Sequence, residues 1–103
     1  MSDATTHKDV DFLEFVVKNI VDFPEQVKIN RTIDDLGVLI TLEVSKDDMG
    51  KIIGRSGQTA KAMRVLLRLI GSRAEERVNL KILEPGGAEV DLPNSDIDED
   101  LDI

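Results

Sequence analysis

From Val10 to Val21 apolar residues recur at the three-to-four spacing of a helix with one buried face, at Val10, Leu13, Val16, Val17, Ile20 and Val21. Asp9 is placed to cap this helix and Pro24 to end it. The period then changes. "QVKINRTI" alternates Val27, Ile29 and, less regularly, Ile33; "DDLG" has turn chemistry; and "VLITLEVS" is β-branched and apolar enough for a central strand. Two strands joined as a hairpin are expected. "KDDMGKII" predicts a short helix with Asp47 and Asp48 near its positive end. From Gln58 to about Glu75 a second helical pattern sets Met63, Leu66, Leu67, Ile70 and Ala74 on one side. Lys61, Arg64 and Arg68 fall on nearly the opposite side. "RVNLKIL" alternates Val78, Leu80 and Ile82 as a last strand, and Pro85-Gly86-Gly87 ends the ordered part. The order α-β-β-α-α-β joins two strands through two helices, which implies a right-handed parallel crossover. The expected fold is α+β, a three-stranded mixed sheet with helices on one face.

Composition narrows the function more than the fold. With 103 residues, 41% apolar and 33% charged, the chain has room for one small domain. No apolar run approaches the roughly 20 residues that cross a bilayer, and "MSDATTHKDVDF" lacks the basic-then-apolar order of a signal peptide, so a cytoplasmic protein with no membrane partner is expected. There is no cysteine, which removes disulfides and thiolate chemistry and agrees with a reducing compartment. The single histidine, His7, has no partner at metal-binding spacing. With the carboxylates mostly in turns or the C-terminal stretch, an enzyme is the weakest reading. No catalytic residue, metal, cofactor or small-molecule substrate is expected.

The net charge of −8 argues against nucleic acid until it is divided along the chain. Residues 84–103 hold eight acids and no base, while residues 1–83 hold 13 of each. The acidity therefore belongs to the tail. Between Lys51 and Arg73 lie six bases, Lys51, Arg55, Lys61, Arg64, Arg68 and Arg73, and no acid. Such a stretch is a candidate anion-binding face.

Inside it stands "MGKIIGRSGQTAKAMR", residues 49–64, with Gly54 and Gly57 interrupting what otherwise reads as one helix. Each interior glycine costs a helix about 1 kcal/mol against alanine, so the break needs a reason. Two helices joined by Gly-Arg-Ser-Gly present backbone N–H groups and the start of the helix at Gln58 to the outside, a geometry that favours phosphate. Arg55 adds charge, Ile52 or Ile53 an apolar surface, and Lys61 and Arg64 further phosphate contacts. The competing reading is a plain helix–turn–helix corner with a solvated basic face. A Walker-type loop fails on spacing, because counting from Gly50 puts Arg55 where the second glycine belongs; a dinucleotide fingerprint lacks its first glycine pair.

"DDMGKIIGRSGQTAKAMRVLL" closely resembles the signature of the KH domain, specifically the small bacterial single-KH proteins of the KhpA type, and the likeness extends over roughly residues 8–84. The resemblance implies the type II KH fold, with Gly54-Arg55-Ser56-Gly57 as the Gly-x-x-Gly loop and Ile52-Ile53 before it. In KH domains that loop clamps the backbone of about four single-stranded nucleotides. It further implies a single-stranded RNA partner, met by Lys51, Ile52, Ile53, Gly54, Arg55, Ser56, Gly57, Gln58, Lys61 and Arg64, and a role as RNA chaperone or post-transcriptional regulator. The only aromatics, Phe12, Phe15 and Phe23, lie near the first helix, so no Tyr or Trp stacking platform exists.

The alternative function is a protein-interaction module on the same scaffold. Val65 and Leu69 lie off the core face beside the basic stripe and need burial or a partner, and the resemblance suggests a homodimer or a heterodimer with a larger Jag-type (KhpB) KH protein. Residues 1–7 are expected to be a flexible leader and 85–103 a disordered acidic tail, able to compete with RNA for the basic face. The tail's "DIDEDLDI" has the acids of a calcium loop without its central glycine and closing glutamate, so weak nonspecific ion binding is the most it supports.

Overall fold

A computed structural model of the chain describes residues 7–86. Within it the elements run α1 (Lys8–Lys18), β1 (Lys28–Asp34), β2 (Gly37–Glu43), α2 (Met49–Ile53), α3 (Gln58–Arg73) and β3 (Val78–Leu83). Single 3-10 turns occupy Pro24–Gln26, Lys46–Asp48 and Arg55–Gly57. The acidic tail and its "DIDEDLDI" lie outside the described residues.

The sheet order is β1-β2-β3. β1 and β2 form the expected antiparallel hairpin, Lys28 opposite Glu43 and Asp34 opposite Gly37. β3 lies parallel to β2, Val78 opposite Val38, as a connection through two helices requires. Along β2 and β3 burial alternates: Val38, Ile40, Leu42, Val78, Leu80 and Ile82 are inside, while Asn79 and Lys81 are exposed. The buried face meets Leu13 and Val17 of α1, Ile52 of α2, and Ala60, Met63 and Leu67 of α3 in one core. This is the α+β architecture of a mixed sheet with helices on one face.

α1 is shorter than its apolar period and starts earlier. It ends at Lys18, with the Asn19 side chain donating to the Phe15 carbonyl, and Pro24 opens a 3-10 turn rather than closing the helix. The cause lies elsewhere in the chain: the Asp48 carboxylate takes the N–H groups of Asp22 and Phe23 at 2.9 and 3.0 Å, which draws this segment off the helical path. Nor does Asp9 cap the helix. The capping position is His7, without a side-chain bond, and Asp9 lies buried in the first turn, where its Oδ2 accepts from Arg31 Nε at 3.2 Å.

The inward face of α3 is also rotated from expectation. Ala60, Met63, Leu67 and Gly71 are buried, whereas Leu66 is 44% exposed and Ala74 lies on the surface. Gly71 explains the rotation. A methyl group there would come within 2.6 Å of Val78 Cγ2, so α3 approaches β3 through its backbone.

Candidate nucleic-acid interface

Between α2 and α3 the chain reverses in four residues. Gly54 has φ 78 and ψ 177, Ser56 φ 54 and ψ 26, and Gly57 φ 78 and ψ 13. The Gly54 conformation is open essentially to glycine alone, and a Cβ there would stand 2.2 Å from Thr59 Oγ1 and 2.8 Å from the Thr59 amide nitrogen. The reversal is therefore built on this residue. Arg55 and Ser56 stand exposed at its tip, and α3 begins from Gly57 with no side chain accepting from its first-turn amides.

The residues singled out from the sequence separate into groups. Arg55, Ser56 and Gln58 are exposed; Ile53, Gly54, Lys61 and Arg64 are half-buried; Gly57 is buried. Ile52 is a correction, because it is fully buried in the core and offers no surface to a ligand. In a helix of one turn, only one of two adjacent isoleucines can point inward, and the inward one is Ile52. Ile53 remains as the apolar surface beside the loop.

Lys51 has an internal occupation that its spacing did not disclose. Its ammonium donates to Asp22 and lies 3.5 Å from Asp48 Oδ1. Asp48 is fully buried and, besides Lys51, accepts the two amides of Asp22 and Phe23. Burial pushes the Asp48 carboxyl up, but the two amides and then Lys51 outweigh it, leaving the group below its usual range. The hydrogen bond to Asp22, against a smaller desolvation, holds Lys51 above its usual value. Together these residues anchor α2 to the segment between α1 and β1, and Ser45 completes the turn by accepting from the Asp47 amide. A 3-10 turn capped by Ser45 leads into α2, with Asp47 and Asp48 just before its first residue, as expected.

Beyond the loop, Arg64 and Arg68 of α3 come close to β2 and β3. A cleft of about 500 Å³ there is lined among others by Arg64, Arg68, Val78, Asn79, Leu80 and Lys81. Lys61, Arg64, Arg68 and Lys81 are each engaged in a polar or electrostatic interaction, so this flank is not a row of idle charges. On the adjoining flank Val65 is half-buried and Leu69 is 59% exposed. At the other end of α3, Arg31 is nearly buried between Asp9 and Glu76, both at 3.2 Å. Sequence reasoning missed this pair of ion pairs; the one signal was an arginine on the inward period of β1 between Ile29 and Ile33. Among the described residues, no group of three or more His, Asp or Glu side chains is placed to hold a metal, and no helix is long and apolar enough to cross a membrane.

Comparison with known families matches residues 10–82 to the KH domain of KhpA/KhpB. The chain is 45% identical over 74 residues to the RNA-binding protein KhpA of Chlamydia pneumoniae, a span covering 72% of this chain and 95% of that protein. It is 40% identical over 76 residues to the RNA-binding protein KhpA of Borreliella burgdorferi, 74% of this chain and 93% of that one. Against the protein of the same name from Listeria monocytogenes the identity is 42% over 69 residues, 67% and 91% of the two chains. No solved structure matches. The matched span takes in the hairpin, the Gly54–Gly57 reversal and the parallel closing strand, and on this sequence and architecture together the chain belongs to the KhpA/KhpB family of KH-domain proteins.

Proposed function

We propose that this protein binds single-stranded RNA, clamping the backbone at Gly54–Gly57. Arg55, Ser56, Gln58, Lys61 and Arg64 contact phosphate, and Ile53 lies against the bases. The observation that carries the reading is the reversal itself. Gly54 has no room for a side chain, and the glycine cap leaves the start of α3 open beside an exposed arginine, an arrangement suited to close approach by a phosphate. The names of the relatives, RNA-binding proteins, support it. Lys51 contributes by holding α2 in place rather than by meeting RNA. Binding without catalysis, in the cytoplasm, as an RNA chaperone or post-transcriptional regulator, fits a site made of amides and cations.

Replacing Arg55 and Ser56 with aspartate sets two negative charges where the phosphate belongs, at exposed positions the core does not use. RNA affinity in fluorescence anisotropy falls by about tenfold or more, while circular dichroism is unchanged. Equal binding by the folded double variant and its parent sinks the loop assignment.

A second reading, compatible with the first, is self-association or pairing with a Jag-type (KhpB) KH protein. It is favoured by Leu69 and Leu66, 59% and 44% exposed, next to Val65 on one flank of α3. Leu69→Glu lowers the assembly state and leaves the monomer folded. Light scattering that finds the unaltered protein monomeric at high concentration, alone and mixed with such a partner, removes this reading.

A further inference from the structure

The turn that closes α3 holds a residue in an unfavourable conformation. The Glu76 N–H donates to the Gly71 carbonyl at 2.8 Å and the Glu75 N–H to the Ser72 carbonyl at 3.1 Å, the pair of bonds made when the residue after a helix turns left-handed. That residue is Glu75, at φ 59. Glycine is the usual occupant of such a position, and the described residues place glycine at four other positive-φ sites, so a glutamate here needs a use. The other non-glycine exception among the described residues is Ser56, at the tip of the candidate RNA loop. Packing does not supply the use. Glu75 is exposed, and among the described residues its carboxylate forms no ion pair. Its neighbours are pinned, Glu76 to Arg31 at 3.2 Å and the Arg77 carbonyl to the Val38 N–H at 2.7 Å, so the backbone that carries Glu75 is fixed in place.

The place matters because of what borders it. A cleft of about 570 Å³ at this corner is lined by Arg68, Ser72, Glu75, Glu76, Arg77 and Asn79. From Gly57 to Arg68 the helix rises about 16 Å, and the series Lys61, Arg64 and Arg68, leading away from the loop, reaches the cleft at Arg68. We propose that Glu75 marks the end of the RNA track: its charge turns away the phosphate that Arg68 and Arg77 would otherwise attract, and so limits the length of RNA the domain holds. The inference rests on the RNA-binding reading. With a neutral residue at position 75, two arginines would border the place of the next phosphate, and the bound length would be set by nothing sharper than the thinning of positive charge. An acid on a fixed backbone supplies a repulsive stop instead, the kind of element that excludes an unwanted mode of binding.

Two variants of the full-length protein test it. Glu75→Asn removes the charge and keeps a side chain that tolerates the left-handed conformation. Fluorescence anisotropy compares mixed-sequence RNA of about four nucleotides, the length a KH loop clamps, with RNA of about eight. At low salt Glu75→Asn binds the longer RNA about three- to tenfold more tightly than the parent does and the shorter within about twofold, and its salt slope for the longer RNA steepens by about 0.7 for each added phosphate contact. An equal gain at both lengths is a general effect of net charge and overturns the proposal, as does no gain at either. In both cases binding by the parent leaves the RNA-binding function standing, whereas no binding by any form overturns that function and the limit with it. Glu75→Gly separates this role from a structural one. It raises the thermal midpoint by about 4 °C or more, because glycine relieves the left-handed conformation; a fall in the midpoint makes Glu75 a support of the fold and overturns the proposal.

Discussion

Lys51 and Arg55 lie one helical turn apart, on either side of the reversal at Gly54, and their charges have opposite destinations. Lys51 stays at the surface, but its ammonium is held on Asp22 and lies 3.5 Å from Asp48, a carboxylate with no solvent exposure. Arg55 points out from a turn whose neighbours are glycine and serine. A base beside a buried acid is part of the scaffold; a base on a reversal without acids is part of the surface that meets a ligand. Sequence spacing makes the two look alike, and only the position of Asp48 separates them.

The contrast breaks most severely at Asp48. Asp48→Ala leaves two partly buried amides without their acceptor and Lys51 with Asp22 alone, and the thermal midpoint followed by circular dichroism falls by at least about 15 °C. The same carboxylate sets the acid limb of stability. Because its folded pKa is lowered, the unfolded chain binds the proton first as pH falls. Its contribution is thus present above the usual carboxylate range and lost below about pH 4. Denaturant midpoints measured across that range decline less steeply for Asp48→Asn than for the parent; equal slopes contradict the assignment.

Gly54→Ala is the next largest change, since it forces a side chain into a conformation meant for glycine and against the Thr59 backbone. We expect a loss of about 1–2 kcal/mol in urea denaturation, together with weaker RNA binding. Lys51→Met is the smallest and the most discriminating. It lowers the thermal midpoint by only about 3 °C and leaves RNA affinity within about twofold of the parent. A large loss of RNA affinity with stability intact would move Lys51 to the ligand-binding side of the comparison.

Most of the architecture was legible because its signals are periodic. Alternation identified the first strand of the hairpin and the closing strand, a β-branched apolar run identified the second, and the glycine pair located the reversal to the residue. What stayed hidden depends on contacts between distant segments. Asp48 reads as a helix-opening acid until Asp22 and Phe23 arrive from some 25 residues away. That arrival also shortens α1, whose apolar period runs on past its end. The choice between Ile52 and Ile53 is invisible in a five-residue helix, which is too short for a period to declare itself. In α3 the period was clear but its phase was not, because Gly71 packs through its backbone and carries no apolar side chain for a pattern to count.

The parallel pairing of β2 with β3 has a consequence for the order of assembly. The hairpin needs only neighbouring residues, whereas β2 waits for Val78–Leu83, the last strand to be synthesised among the described residues. Contacts of such long sequence separation close slowly. Until they close, Ile40 and Leu42 have the hairpin on one side and no strand on the other. A nascent chain stopped at Arg77 therefore presents an apolar strand edge to chaperones or to other chains. Trypsin or a hydrophobic dye should distinguish that intermediate from the finished domain at the moment β3 clears the ribosome.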